Sequence, residues 1–111
     1  MYDIYIGNTV TEELKLLYSF TEKEHDELFT FIDSIKYNKY NNYKILNEIR
    51  ENNNSVNFFT NEIVILKSEL NYINEIKKGM VFSIALEKAC SEAIKNDLEL
   101  ICSGEKWWKT G

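Results

Sequence analysis

Tyr2-Asp3-Ile4-Tyr5-Ile6-Gly7-Asn8 decides how the rest of the chain is read. Apolar and polar side chains alternate, so Tyr2, Ile4 and Ile6 share one face of an extended segment, which Gly7-Asn8 ends. Asp97-Leu98-Glu99-Leu100-Ile101-Cys102 repeats the alternation near the other end of the chain. A lone short strand leaves its backbone N–H and C=O groups without partners, so the two strands are expected to pair with each other. Between them the chain has no proline, and three of its four glycines (Gly7, Gly79, Gly104) fall at element ends. The expectation is an α+β domain spanning residues 1–111, predominantly helical. It has four to five helices and a small sheet formed by the N- and C-terminal strands.

Helix signals place those elements. Thr9 or Thr11 is expected to cap a short helix that reaches about Ser19 and buries Val10, Leu14 and Leu17. Thr21-Glu22-Lys23-Glu24 is a capping box: the Thr21 hydroxyl can accept from the Glu24 N–H while the Glu24 side chain reaches back. The helix it opens runs to about Lys36, with Leu28, Phe29, Ile32 and Ile35 at core spacing. A polar-aromatic link, Tyr37 to Tyr43, precedes a helix carrying Ile45, Leu46 and Ile49. Asn52-Asn53-Asn54-Ser55 reads as a loop. Thr60 then caps a longer helix with Ile63, Leu66, Leu70 and Ile73 inward and Phe59 stapled on Val64. After Gly79 a last helix buries Phe82, Ala85, Leu86, Ala89 and Ala93, with Asn96 as a left-handed cap.

Composition narrows the class. The chain has 111 residues and is 44 % hydrophobic, enough for one core but not for two. No apolar run approaches the roughly 18 residues of a membrane span, and the first residues lack the basic and apolar regions of a signal peptide. A cytoplasmic location without membrane contact is the expectation. Cys90 and Cys102 are then reduced thiols buried among apolar residues, in preference to a disulfide or a reactive thiol; two cysteines make no zinc pattern. Asn, Lys, Ile and Tyr, all read from AT-rich codons, supply 45 of the 111 residues, which fits an AT-rich bacterial genome or a horizontally acquired gene.

Charge is distributed unevenly. Residues 1–33 hold eight acids and two lysines, a balance of −6, whereas residues 34–111 balance at +1. The whole net charge of −5 therefore comes from the first third. A focused negative field attracts cations and basic proteins and repels nucleic acid and anionic membranes. Taken singly the acids read as a solvated helix face. As a group, Glu12, Glu13, Glu24, Asp26, Glu27 and Asp33 could fill the Lys/Arg groove of a protein that binds phosphates, and would speed encounter with it. Tyr37, Tyr40 and Tyr43 recur every three residues amid Asn and Lys. They read as core or rim packing, as a protein interface, or as base-stacking platforms beside Lys36, Lys39 and Lys44, which with Arg50 are the candidates for a basic face that contacts phosphates. Trp107 and Trp108 read either as folding back on the terminal sheet or as an exposed anchor.

Catalytic signatures are missing from this sequence. Its one histidine, His25, stands three residues after Glu22, a spacing suited to a dimetal carboxylate site, but such sites need a second Glu-x-x-His. First-turn electrostatics with a half-exposed histidine explains the pair instead. There is no glycine-rich phosphate loop and no Gly-x-Ser-x-Gly. No enzymatic activity, metal or cofactor is expected.

An opening Met1-to-Asn8 strand, an acidic capped helix, a loop-punctuated helical middle and a closing Leu98-to-Cys102 strand together resemble bacterial immunity proteins. These belong to contact-dependent growth inhibition and related polymorphic toxin systems. The resemblance implies a cytoplasmic protein that binds a cognate basic toxin domain 1:1 and occludes its active site, a nuclease with ribonuclease favoured. Glu12, Glu13, Glu24, Asp26, Glu27 and Asp33 would steer the complex, and Tyr37, Tyr40 and Tyr43 would supply aromatic contacts. The competing expectation is a small helical adaptor or oligomerising interaction protein with no toxin partner.

Overall fold

A computed structural model describes residues 2–35, 43–51 and 55–104 of the chain. Among them are four helices and one four-stranded antiparallel sheet. The strands are β1 (Tyr2–Asn8), β2 (Glu13–Phe20), β3 (Ser55–Phe58) and β4 (Glu99–Gly104). The helices are α1 (Glu22–Ser34), α2 (Lys44–Glu51), α3 (Thr60–Ile76) and α4 (Val81–Lys95). The fold is α+β, and its sheet runs in the order β2-β1-β4-β3.

The two terminal strands pair at the centre of this sheet, Ile4 opposite Cys102 and Ile6 opposite Leu100. They are flanked by two further strands, one where the sequence suggested a helix and one that begins at Ser55, the last residue of the expected loop. On the first flank, residues 13–20 form β2, hairpinned to β1, and not a helix capped by Thr9 or Thr11. Ile4 opposes Tyr18 while Tyr5 opposes Leu16, so Leu17 is an extra residue, a β-bulge. The bulge shifts the phase of a two-residue alternation. Leu14 and Leu16 face one side, Tyr18 and Phe20 the other, and the broken pattern mimics helical spacing at Val10, Leu14 and Leu17. Val10 is exposed in the connection, where the Asn8 Oδ1 accepts from the Val10 and Thr11 N–H groups (2.9 and 3.3 Å). This is the local turn chemistry of asparagine. Thr9 donates through its backbone and hydroxyl to the Glu99 carboxylate (3.0 and 2.8 Å), tying the hairpin to β4.

Gly7 is required here. A Cβ at this position would run into the carbonyl oxygen and Cα atoms of Glu13 and Leu14 on the paired strand. Gly7→Ala is expected to cost roughly 2–4 kcal/mol by forcing β1 and β2 apart. Urea unfolding measures it, and wild-type stability in the variant would contradict the close packing.

On the second flank, Ser55–Phe58 forms β3, antiparallel to β4, with Phe58 opposite Leu100. Residues 52–54 of the expected loop lie outside the described residues. The helices match their sequence signals more closely. Thr21 caps α1 with both halves of the capping box in place. In α2 Ile45, Leu46 and Ile49 are buried. The residues the spacing named in α3 and α4 are all buried, joined by Glu69 in α3 and by Ser83 and Cys90 in α4. Two caps differ. Phe59, not Thr60, holds the cap position of α3, its N–H donating to Glu62, and both Phe59 and Val64 are exposed. Asp97, not Asn96, takes the left-handed conformation after α4.

The helices cover the sheet face that carries Tyr2, Ile4, Ile6, Phe20, Phe58, Leu100 and Cys102, and one core forms between the layers. Its most aromatic part lies where β1 and β2 meet α1 and α4. His25, 4 % exposed rather than half-exposed, stacks on Tyr2 with centroids 3.8 Å apart. Its ring also contacts Phe29 and Phe82. Cys90 on α4 and Cys102 on β4 are buried free thiols. Burial pushes the Cys102 thiol up to about 12 and raises Cys90 as well, so neither is a ready nucleophile.

Candidate partner-binding groove on α1

Thr21 and the capping box fix where α1 begins, and the apolar spacing of Leu28, Phe29 and Ile32 fixes which side is buried. The remaining side carries the carboxylates outward. The exposed side of α1 faces the turn that joins α3 to α4, and a groove of about 1010 Å³ runs between them. Glu22, Glu24, Asp26 and Glu27 line it together with Lys23, Lys77, Phe31 and Val81. Four carboxylates against two lysines leave it acidic. One lysine is engaged, because the Lys77 ammonium lies over the Phe31 ring, 5.5 Å from its centroid. Val81 is 51 % exposed at the groove wall. The turn is held against movement by a polar clasp at the adjoining helix ends. Ser83 donates to the Asn74 side-chain carbonyl (2.6 Å), and the Asn74 amide donates to Glu87 (2.7 Å).

The six acids named from sequence separate into three groups. Glu24, Asp26 and Glu27 line the α1 groove. Of these, Glu24 also accepts from the Thr21 N–H (2.9 Å) and so belongs to the helix start as well. Asp26 lies 3.2 Å from the Nδ1 of His25. Glu27 is exposed, and no ion pair among the described residues reaches it. Asp33, at the other end of α1, accepts from the Arg50 guanidinium (2.9 Å). Glu12 and Glu13 sit at the far end of β2, where they line a different depression with Leu14 and Leu98.

Tyr37 and Tyr40 lie outside the described residues, as do Trp107 and Trp108. Tyr43 is 1 % exposed at the start of α2 and offers no surface. Arg50, a candidate for phosphate contact, is committed instead to α1. It donates to the Phe29 carbonyl (2.6 Å) and to Asp33, and it stacks on the Phe29 ring.

Three residues that matter here were not singled out from sequence. Phe31 and Val81 supply the apolar part of the groove and become neighbours only when α1 meets the α3–α4 turn. Glu69 is the third. It is 1 % exposed on α3 and accepts from the Leu46 N–H (2.9 Å), which caps α2 from a distant part of the chain. Burial pushes its carboxyl up to about 7, against hydrogen bonds from Leu46 and Ile45 that pull the other way. Its place three residues after Leu66 and six after Ile63, on the inward side of α3, was the available signal.

Among the described residues no group of three His, Cys, Asp or Glu side chains is arranged to hold a metal ion, and no helix is long and apolar enough to cross a membrane. No family model, curated protein or solved structure matches the chain.

Proposed function

We propose that the protein is a non-enzymatic inhibitor of the immunity type, which binds a basic toxin domain 1:1 in the cytoplasm and occludes its active site. The α1 groove carries this reading. Glu22, Asp26 and Glu27 all line it from the exposed side of α1. A focused patch of carboxylates of this kind attracts a cationic surface. Carboxylates set in a row then occupy the positions that phosphates take in a nuclease cleft, which is why a nuclease, with ribonuclease favoured, is the partner of choice. The uneven charge raises the encounter rate, and Phe31 and Val81 supply the apolar contact that lowers dissociation once water is expelled.

Calorimetry against the C-terminal domain encoded by the gene immediately upstream tests the proposal. A nanomolar 1:1 complex that also silences the toxicity of that domain is expected. Absence of binding, or a neighbour without toxicity, would overturn it and favour an adaptor that acts through other surfaces.

A further inference from the structure

The outer edge of β2 offers a second and separate interaction surface. β2 is one of the two edge strands of the sheet, the other being the shorter β3, and Glu13, Leu14, Lys15 and Leu16 are all exposed along it. Leu14 and Leu16 are 45 % and 49 % exposed on the face away from the helices. Among the described residues no strand pairs with this edge, and an unpaired edge presents a row of backbone donors and acceptors to any strand that can match it. We propose that β2 pairs antiparallel with β2 of a second copy of this chain, about a two-fold axis through Leu14, joining the two sheets into one.

Register and charge select this occupant. A two-fold axis normal to a sheet keeps each face on its own side, so the axis must pass through a residue of β2. Centring on Lys15 sets two like charges directly opposite each other, which is destabilising. Centring on Leu16 carries the pairing across the bulge at Leu17, so that Leu14 would meet Tyr18, a residue of the opposite face. Centring on Leu14 pairs residues 13–15 of the two copies within the regular part of β2 and leaves Leu16 opposite Glu12 of the other copy, just outside the strand. It sets Leu14 against its own copy and Glu13 against Lys15 of the other copy, twice by symmetry. Lys15, which discourages the wrong register, thereby supports this one. The contact is one strand pair with a few side chains, smaller than a standard interface, so a dissociation constant of roughly tens of micromolar is expected.

Sedimentation equilibrium of the whole protein over about 5–500 μM reads the result. The mass should rise from the 13.1 kDa of the single chain toward twice that value. Lys15→Glu, which sets like charges opposite each other, should weaken association about tenfold or more. The double exchange Glu13→Lys with Lys15→Glu should restore it to within about threefold of wild type. Both positions are exposed, and thermal melts of the variants verify that they fold. A monomer at every concentration would overturn the proposal. So would a Lys15→Glu variant that associates like wild type, or a folded double exchange that stays monomeric. Each of these outcomes leaves the α1 groove and its toxin partner untouched.

Discussion

Phe82→Ala is expected to remove about 3–5 kcal/mol of unfolding free energy, the range for truncating a buried aromatic residue. For a domain whose total stability is typically 5–15 kcal/mol, this is a large fraction. Phe82 is 1 % exposed in the first turn of α4, and it is where three elements meet. Its ring lies 4.8 Å from that of Phe20 at the end of β2 and 5.3 Å, edge-on, from that of His25 on α1. Through His25 it is connected to Tyr2, the first residue of β1. A cavity here loosens the hairpin, α1 and the sheet together, and backbone relaxation cannot close it because the neighbours belong to separate elements. Urea denaturation followed by circular dichroism measures the loss. A cost below about 1 kcal/mol would mean that Phe82 does not tie these elements together.

Stability should also fall as pH rises from 4.5 to about 7, and Glu69 is the reason. Its carboxyl is raised from the ordinary value of 4.5 to about 7, chiefly by burial and in smaller part by Glu48 nearby. Below 4.5 the folded and unfolded chains both hold the proton. Between 4.5 and 7 only the folded chain holds it, so stability is lost with rising pH across that window. Above 7 the folded protein carries a buried charge and the loss is complete. The shift corresponds to about 3 kcal/mol as an upper bound. Glu69→Gln keeps an oxygen that can accept from the Leu46 N–H but removes the titration. This variant should therefore show a flatter stability profile and a higher Tm than wild type at pH 8. An unchanged slope in the variant would assign the pH dependence to another group.

Much of the fold is legible in the sequence because its helices announce themselves twice. The Thr21–Glu24 box and the spacing of Leu28, Phe29 and Ile32 agree on α1, and the spacings in α3 and α4 do so as well. The terminal strands are legible because each alternates cleanly and needs a partner. β2 is not, since the bulge at Leu17 breaks a two-residue period into something close to a helical one. β3 is four residues long and follows an asparagine run that reads as loop. Its Val56 and Phe58, two apart, are the trace that remains.

The candidate groove was half legible. Its carboxylates follow from the charge of the first third and the polar side of α1. Phe31 and Val81 join them only through tertiary contact, which no local pattern encodes. The same limit applies to Glu69. Charged residues are almost never fully buried without a partner, and its partner is a helix end more than twenty residues away in sequence.

The central proposal is that α1, and not the hairpin end, is the surface for a basic partner. Stopped-flow association with the C-terminal domain encoded by the gene immediately upstream, the proposed partner, measured across a salt series, tests it most directly. Charge reversal at Asp26 and Glu27 should slow association by roughly tenfold or more and flatten its salt dependence. Reversal at Glu12 and Glu13 should leave the rate within about threefold of wild type. If the α1 reversal leaves rate and salt dependence unchanged, the groove is not the partner surface and the account is contradicted.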